Sequence, residues 1–268
     1  MKRLFSVFAA AIVFCAVFAS DEYTVIVNPA ENASTGARIN WHTDEGCGSE
    51  ACIYTKRSDT KWKHRKTIAA TQELVTAYDS LMSKHPDGTD CIERVRFIRN
   101  TAELQSLEHD TEYMYRFSDD KDAPVRYFKT APEDGAWTAA VISDFHSYTP
   151  LPKRAVAAMA MLDTLERVNG GDFDMVLHVG DICAWGGSYS FWRDLYEKSQ
   201  FSKYMWAGVN GNHDNMDRKS TRLSNDYFRY ANNNPLNGYP GEMGVCYFFK
   251  YGQVLFIMLN NEMMRKDE

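Results

Sequence analysis

Three short clusters carry the side chains best suited to metal chemistry: Ser143-Asp144-Phe145-His146, Gly180-Asp181-Ile182-Cys183 and Gly211-Asn212-His213-Asp214. In the first, a carboxylate and an imidazole stand two residues apart, so on an extended backbone both project to one side and reach one cation. Asp181 adds a carboxylate whose two oxygens suffice to bridge two metals, and Asn212 adds a neutral amide oxygen just before His213 and Asp214. Mixed carboxylate, imidazole and amide donors suit iron, manganese or zinc better than a thiolate-based structural zinc site. Cys183, an isolated thiol beside these donors, reads as a packing residue.

The elements that must position these clusters are legible in the hydrophobic pattern. Residues 137–143, 175–180 and 204–209 are apolar runs of strand length, and each ends at one of the clusters. Between them, residues 153–168 place Val156, Met159, Leu162 and Leu165 at helical spacing, and residues 191–198 predict a shorter helix. Strand and helix alternating in this way imply an α/β layer with parallel neighbours. Ligands of such sheets collect at the carboxyl ends of strands, which is where all three clusters fall.

The chain ahead of this layer has a different period. Ile39, Trp41 and Thr43 alternate with Arg38, Asn40 and His42, and Tyr113, Tyr115 and Phe117 repeat the two-residue rhythm. With further strands at 23–27, 51–55, 94–100 and 125–130, and with Leu104 and Leu107 as core plugs, residues 21–132 predict a small β-sandwich. The stretch 58–90 fits less well: Ile68, Leu74, Val75, Tyr78 and Leu81 look partly helical, and it is treated as an insertion. Pro132 and Gly135, with charge around them, mark a boundary before the second domain, residues 136–268. Residues 245–250 and 253–260 flank Tyr251-Gly252 as a β-hairpin. His42, His64, His85 and His109 are scattered without metal spacing and read as solvated, whereas His178, between Leu177 and Val179, reads as packed.

The formal net charge of -6 and pI near 5.7 give no basic face for a polyanion, so no nucleic-acid partner is expected. Residues 1–20, with Lys2 and Arg3 ahead of an uncharged apolar run closing on Val17-Phe18-Ala19, resemble a cleaved signal peptide. The run is shorter than the roughly 20 residues of a spanning helix. A secreted, extracytoplasmic protein without stable membrane association after cleavage is the expectation. In that compartment Cys91 is expected to pair with Cys47 or Cys52. Asn32-Ala33-Ser34 is a glycosylation sequon in a eukaryotic secretory host.

Taken together, the tract from Val176 to Asp181, Trp192, and the tract from Ala207 to Asp214 resemble the catalytic core of the purple acid phosphatases, within the calcineurin-like metallophosphoesterase superfamily. Ile39-Asn40-Trp41, the segment from Thr111 to Arg116 and the segment from Phe128 to Pro132 are similar to that family's fibronectin-III-like N-terminal domain. The resemblance implies a β-sandwich followed by an α/β metallophosphoesterase domain, a two-sheet αββα sandwich incomplete in this chain. It also implies two metal ions (Fe, Mn or Zn) acting on a small phosphate monoester, with a metal-bound hydroxide as nucleophile. Carried over by position, Asp144 binds the first metal, Asp181 bridges and Asn212 binds the second. His213 becomes the proton donor or phosphate contact, held in its tautomer by Asp214.

Two positions depart from the family pattern. Where the coloured members carry an iron-binding tyrosine, three residues after the bridging aspartate, this chain has Ala184, and His146 stands where they usually have glycine. His146 is therefore expected to replace the phenolate as a first-metal ligand, as in Asp-x-His relatives, giving a colourless or weakly coloured holoprotein. The family's later histidine ligands have no counterpart, since no histidine follows His213. The expectation is an acid-phosphatase-like hydrolase whose activity in this chain is impaired. The alternatives are a secreted non-catalytic binding protein with a degenerate phosphoesterase domain, and a phosphodiesterase or nucleotide hydrolase on the same site. The sequence does not fix the oligomeric state.

Overall fold

The computed structural model describes residues 22–46, 50–84, 86–216 and 225–262. The signal-like segment 1–20, Cys47 and His85 lie outside these residues. The strands of the first half are β1 (Tyr23–Pro29), β2 (Ala37–Thr43), β3 (Ala51–Lys56), β4 (Lys66–Ala69), β5 (Thr71–Lys84), β6 (Asp90–Leu104), β7 (Glu112–Arg116) and β8 (Arg126–Lys129). The second half continues with β9 (Ala139–Ile142), α1 (Lys153–Asn169), β10 (Met175–His178), α2 (Tyr189–Tyr196), α3 (Ser199–Lys203), β11 (Met205–Gly208), α4 (Asp226–Ala231), β12 (Tyr247–Tyr251) and β13 (Val254–Met258).

The first eight strands divide between two sheets, as a sandwich requires. β4-β3-β7-β8 form an antiparallel four-stranded sheet, while β5-β6-β2-β1 form half of a seven-stranded sheet. Between the two lies a core containing Val27, Ile39, Trp41, Tyr54, Tyr115 and Phe128, in which Trp41 stacks on Phe117 with ring centroids 4.1 Å apart. The seven-stranded sheet does not stop at the domain boundary. β1 pairs parallel with β11 through Val27 and Met205, and β11, β10 and β9 continue the sheet in parallel. All seven residues of β1 are buried because the strand is central in a sheet covered on both faces.

On the parallel half, α1 and α2 cover one face around Ile142, Leu162, Val176, Trp192 and Trp206. The face that α1 buries consists of Ala155, Ala158, Met159 and Leu162. The sequence placed Val156 on that face, yet it is 61% exposed. Both sets have helical spacing, and the sheet takes the one with two alanines. β12 and β13 form a separate hairpin, locked to the main sheet by the Tyr247 hydroxyl, which accepts from the Gly208 amide (3.1 Å) and donates to its carbonyl (2.9 Å).

Several expectations are corrected here. The stretch 58–90 holds no helix among its described residues; it folds as β4 and most of the hairpin β5–β6. His42 is fully buried rather than solvated. Its Nε2 donates to the Tyr230 carbonyl and its Nδ1 accepts from the Tyr189 hydroxyl, both at 2.7 Å. Cys52 and Cys91 both carry free thiols, so the Cys52–Cys91 pairing is not formed.

Candidate metal centre

β9, β10 and β11 run side by side with Ile142 opposite His178 and His178 opposite Gly208, so their carboxyl ends come level. The loops that leave them are laced by backbone hydrogen bonds. The Asp144 amide donates to the Gly180 carbonyl (3.0 Å), the His146 amide to the Asp181 carbonyl (3.0 Å), and the Gly186 amide to the His213 carbonyl (2.8 Å). A Cβ on Gly211 would lie 2.1 Å from the Asp181 carboxylate, so these two loops touch only because position 211 has no side chain.

Asp144, His146 and Asp181 all adopt left-handed backbone conformations, with φ of 59°, 45° and 56°. Such conformations cost non-glycine residues free energy and gather where side chains are aimed for function. The aim is inward. One ligand atom each of His146, Asp181 and His213 lie within 4.8 Å of one another. His146 Nε2 lies 3.5 Å from both the Asp144 and the Asp181 carboxylates, and the His146 and His213 rings meet edge to face at 4.6 Å. Asn212, exposed, sits beside His213 on the same loop.

Of the residues singled out in the sequence, Asp144, His146, Asp181 and His213 are thus brought together, with Asn212 adjacent. Asp214 is not where it was expected. Its fully buried carboxylate turns away from the His213 ring and accepts hydrogen bonds from the amides of Ile182 (3.1 Å), Cys183 (2.8 Å) and Gly211 (2.9 Å). It is the clasp that ties the second loop to the third. The tautomer of His213 is set instead by the carbonyl of Ala184, 2.7 Å from Nδ1. A carbonyl only accepts, so Nδ1 carries the hydrogen and Nε2 presents a lone pair.

Burial pushes the Asp214 carboxyl up, to about 7, against the pull of its three amide hydrogen bonds, and the charge of Asp181 adds to the rise. A cation held by Asp181 removes that last contribution. Asp144 is held below the usual carboxylate range, chiefly by the Ser143 hydroxyl, which donates to it at 2.5 Å. Burial drives His178 down to about 3, so this neighbour stays neutral; its ring packs edge-on to Phe145. Cys183 is fully buried and its thiol is pushed up, as a packing residue's should be. Sequence reasoning passed over Ser143 and the Ala184 carbonyl. The first was visible as a hydroxyl beside Asp144; the second, a backbone group, leaves no trace in residue type.

The donor set passes a chemical test for a metal. Two imidazoles and two carboxylates converge from three loops, with Asp144, His146 and Asp181 on left-handed backbone, and close packing of carboxylates is stabilised by a cation between them. His146, Asp181 and His213, whose ligand atoms converge, with Asp144 beside them, are the residues that could hold it.

The family model for the purple acid phosphatase N-terminal domain matches residues 23–130, and the model for calcineurin-like phosphoesterases matches residues 138–265. A search of curated proteins found no match. Among solved structures, a purple acid phosphatase isolated from yellow lupin (Lupinus luteus) seeds is similar, with a TM-score of 0.65 and 13% sequence identity over 93% of this chain and 46% of that chain. At this identity the likeness is one of fold, and the chain spans about half the length of the lupin enzyme. With the two family models following one another along most of its length, the chain belongs to the purple acid phosphatase-like proteins of the calcineurin-like metallophosphoesterase superfamily.

Proposed function

We propose that the chain is a metal-dependent phosphoesterase that hydrolyses phosphate monoesters at the carboxyl ends of β9, β10 and β11. The observation that carries this reading is the convergence of His146, Asp181 and His213 within 4.8 Å, with Asp144 beside them, in a chain of this family. A pair of Fe, Mn or Zn ions at such a site supplies charge neutralisation for the phosphate and an acidified water as nucleophile.

The chain's own residues divide the remaining work. Asp144 and His146 would hold one ion, Asn212 would hold a second, and Asp181 would be shared between them. His213 faces the phosphoryl group. With Nδ1 committed to the Ala184 carbonyl, its Nε2 accepts a hydrogen bond when neutral and donates to the leaving oxygen only as the imidazolium. Export to an extracytoplasmic compartment belongs to the same reading, supported by residues 1–20. Among the described residues no helix is long and apolar enough to cross a membrane.

The test is hydrolysis of p-nitrophenyl phosphate by protein loaded with Mn²⁺ or Zn²⁺. The expected result is a low but metal-dependent rate, abolished by a chelator, from protein without a strong visible charge-transfer band, since Ala184 offers no phenolate. Hydrolysis indifferent to the chelator contradicts the proposal. A second reading is a non-catalytic binding protein on the same fold. It predicts metal binding with no turnover of this ester or of bis-p-nitrophenyl phosphate, the substrate that separates a phosphodiesterase from a monoesterase.

A further inference from the structure

Beside the metal-candidate residues lies a cavity of about 330 Å³ between the first loop and α1. Apart from Ser143, Asp144 and His146, its lining differs from the cluster. Phe145, Ala157, Ala158 and Met161 make one side apolar, and among the described residues that line it Arg154 is the sole lysine or arginine. Arg154 is tethered to the site by its own hydrogen bond: Nη1 donates to the carbonyl of His146 at 3.3 Å, while the guanidinium lies 5.7 Å from the Tyr148 ring centroid. Among the described residues no carboxylate forms an ion pair with it. The titratable groups that line the same cavity are the Asp144 carboxylate and the His146 ring.

This arrangement is unusual for a chain of net charge -6 with carboxylates at its proposed centre. Asp144 places a carboxylate in the lining, and Arg154 is the positive charge in the same lining that offsets it. Guanidinium presents a planar fork of donors matched to phosphoryl oxygens. The apolar wall behind it has nothing to offer a sugar or a second charge but suits a hydrocarbon or aromatic body.

We infer that this cavity is the leaving-group subsite, that Arg154 is a phosphate-positioning residue, and that the preferred substrates are phosphate esters of apolar alcohols or phenols. The inference rests on the function proposed above. In it the phosphoryl group lies between His146 and Arg154, and the ester's organic part lies on Ala157, Ala158 and Met161. The ester P–O bond breaks with water supplying the entering oxygen; the leaving oxygen takes a proton, and inorganic phosphate and the alcohol depart.

The experiment is calorimetric titration of Mn²⁺-loaded protein with phenylphosphonate and methylphosphonate, two non-hydrolysable probes that differ only in the body the subsite would hold. Wild type is expected to bind phenylphosphonate at least tenfold more tightly. Arg154→Gln is expected to weaken both about tenfold, the scale of a lost charge-assisted hydrogen bond. Ala157→Trp, at an exposed helix position that tolerates bulk, fills the cavity and is expected to weaken phenylphosphonate alone. Mn²⁺ affinity stays unchanged in both variants. Equal binding of the two probes by wild type, or indifference of both to Arg154→Gln in protein that binds Mn²⁺, overturns this inference and leaves the proposed function standing. Failure of wild type to bind Mn²⁺ overturns both.

Discussion

At the scale of single residues, the partner of His213 decides what that ring can do. Because the Ala184 carbonyl takes the Nδ1 hydrogen, Nε2 is the nitrogen that faces the site, and its proton is present only in the charged form. A substrate-facing role and a ligand role then differ in a measurable way. His213→Gln is expected to leave Mn²⁺ affinity within about threefold while hydrolysis falls by about 10²–10⁴, the usual worth of a general acid. A loss of metal affinity of 10-fold or more would make His213 a ligand instead. His146, Asp181 and His213 were legible in the sequence by type and spacing. The role of Asp214 was not, because adjacency in sequence suggests a side-chain pair whereas a tight turn sends neighbouring side chains apart.

At the scale of elements, the centre depends on three loops pressed together rather than on any one strand. Asp214 clasps the second loop to the third through three amides, and Gly186 lies where a Cβ would come within 1.6 Å of the Asp214 carbonyl oxygen. No rotamer relieves a clash with backbone, so Gly186→Ala must displace one loop. It is expected to lower stability by about 1–3 kcal/mol or more and to weaken Mn²⁺ binding; chemical denaturation and metal titration check the two together. Unchanged metal affinity at lowered stability would show that the loops are not coupled to the site.

The strands around the site were read well from period because their apolar faces are continuous, and α1 was placed correctly in the chain although Val156 was wrongly put on its buried face. The hairpin β5–β6 was misread in its first arm because β5 is apolar on both faces. Val75 and Ala77 are buried against α2 while Leu74 and Tyr78 are 49% and 53% exposed, and that mixture imitates helical spacing.

At the scale of the molecule, two sequence regions share one sheet, and the junction is held by buried polar groups. Asn28 on β1 donates to the Trp206 carbonyl at 2.9 Å and accepts from the Asn233 amide at 2.8 Å; the Asn233 side chain donates to the carbonyls of Ile39 and Ala102. His42 belongs to this junction, stacked on Phe97 at 4.3 Å and bonded to Tyr189 and Tyr230. Its burial was invisible in the sequence, since alternation on β2 marks the polar face as outward and only the arrival of α2 and α4 covers it.

Burial pushes both His42 and His178 down to about 3. Unfolded, each takes up a proton near pH 6.5; folded, each stays neutral until far lower. The unfolded state then binds more protons, so stability falls as pH drops through 6.5 toward 3, and at pH 5 each histidine costs about 2 kcal/mol. Urea denaturation at pH 7 and pH 5 checks this. Equal midpoints at the two pH values would mean that these rings are not held neutral. A ligand that binds only the folded state, such as a metal at the strand ends, would offset this loss.

The central claim is that the converging strand ends form a metal centre built on Asp181, and equilibrium titration of metal-free protein with Mn²⁺, wild type against Asp181→Asn, tests it most directly. Asp181→Asn keeps shape and removes the charge that Asp144 and His146 surround. The account predicts saturable binding by wild type and a loss of 100-fold or more in the variant, with the fold unchanged by circular dichroism. Equal Mn²⁺ affinity in the two proteins would contradict it.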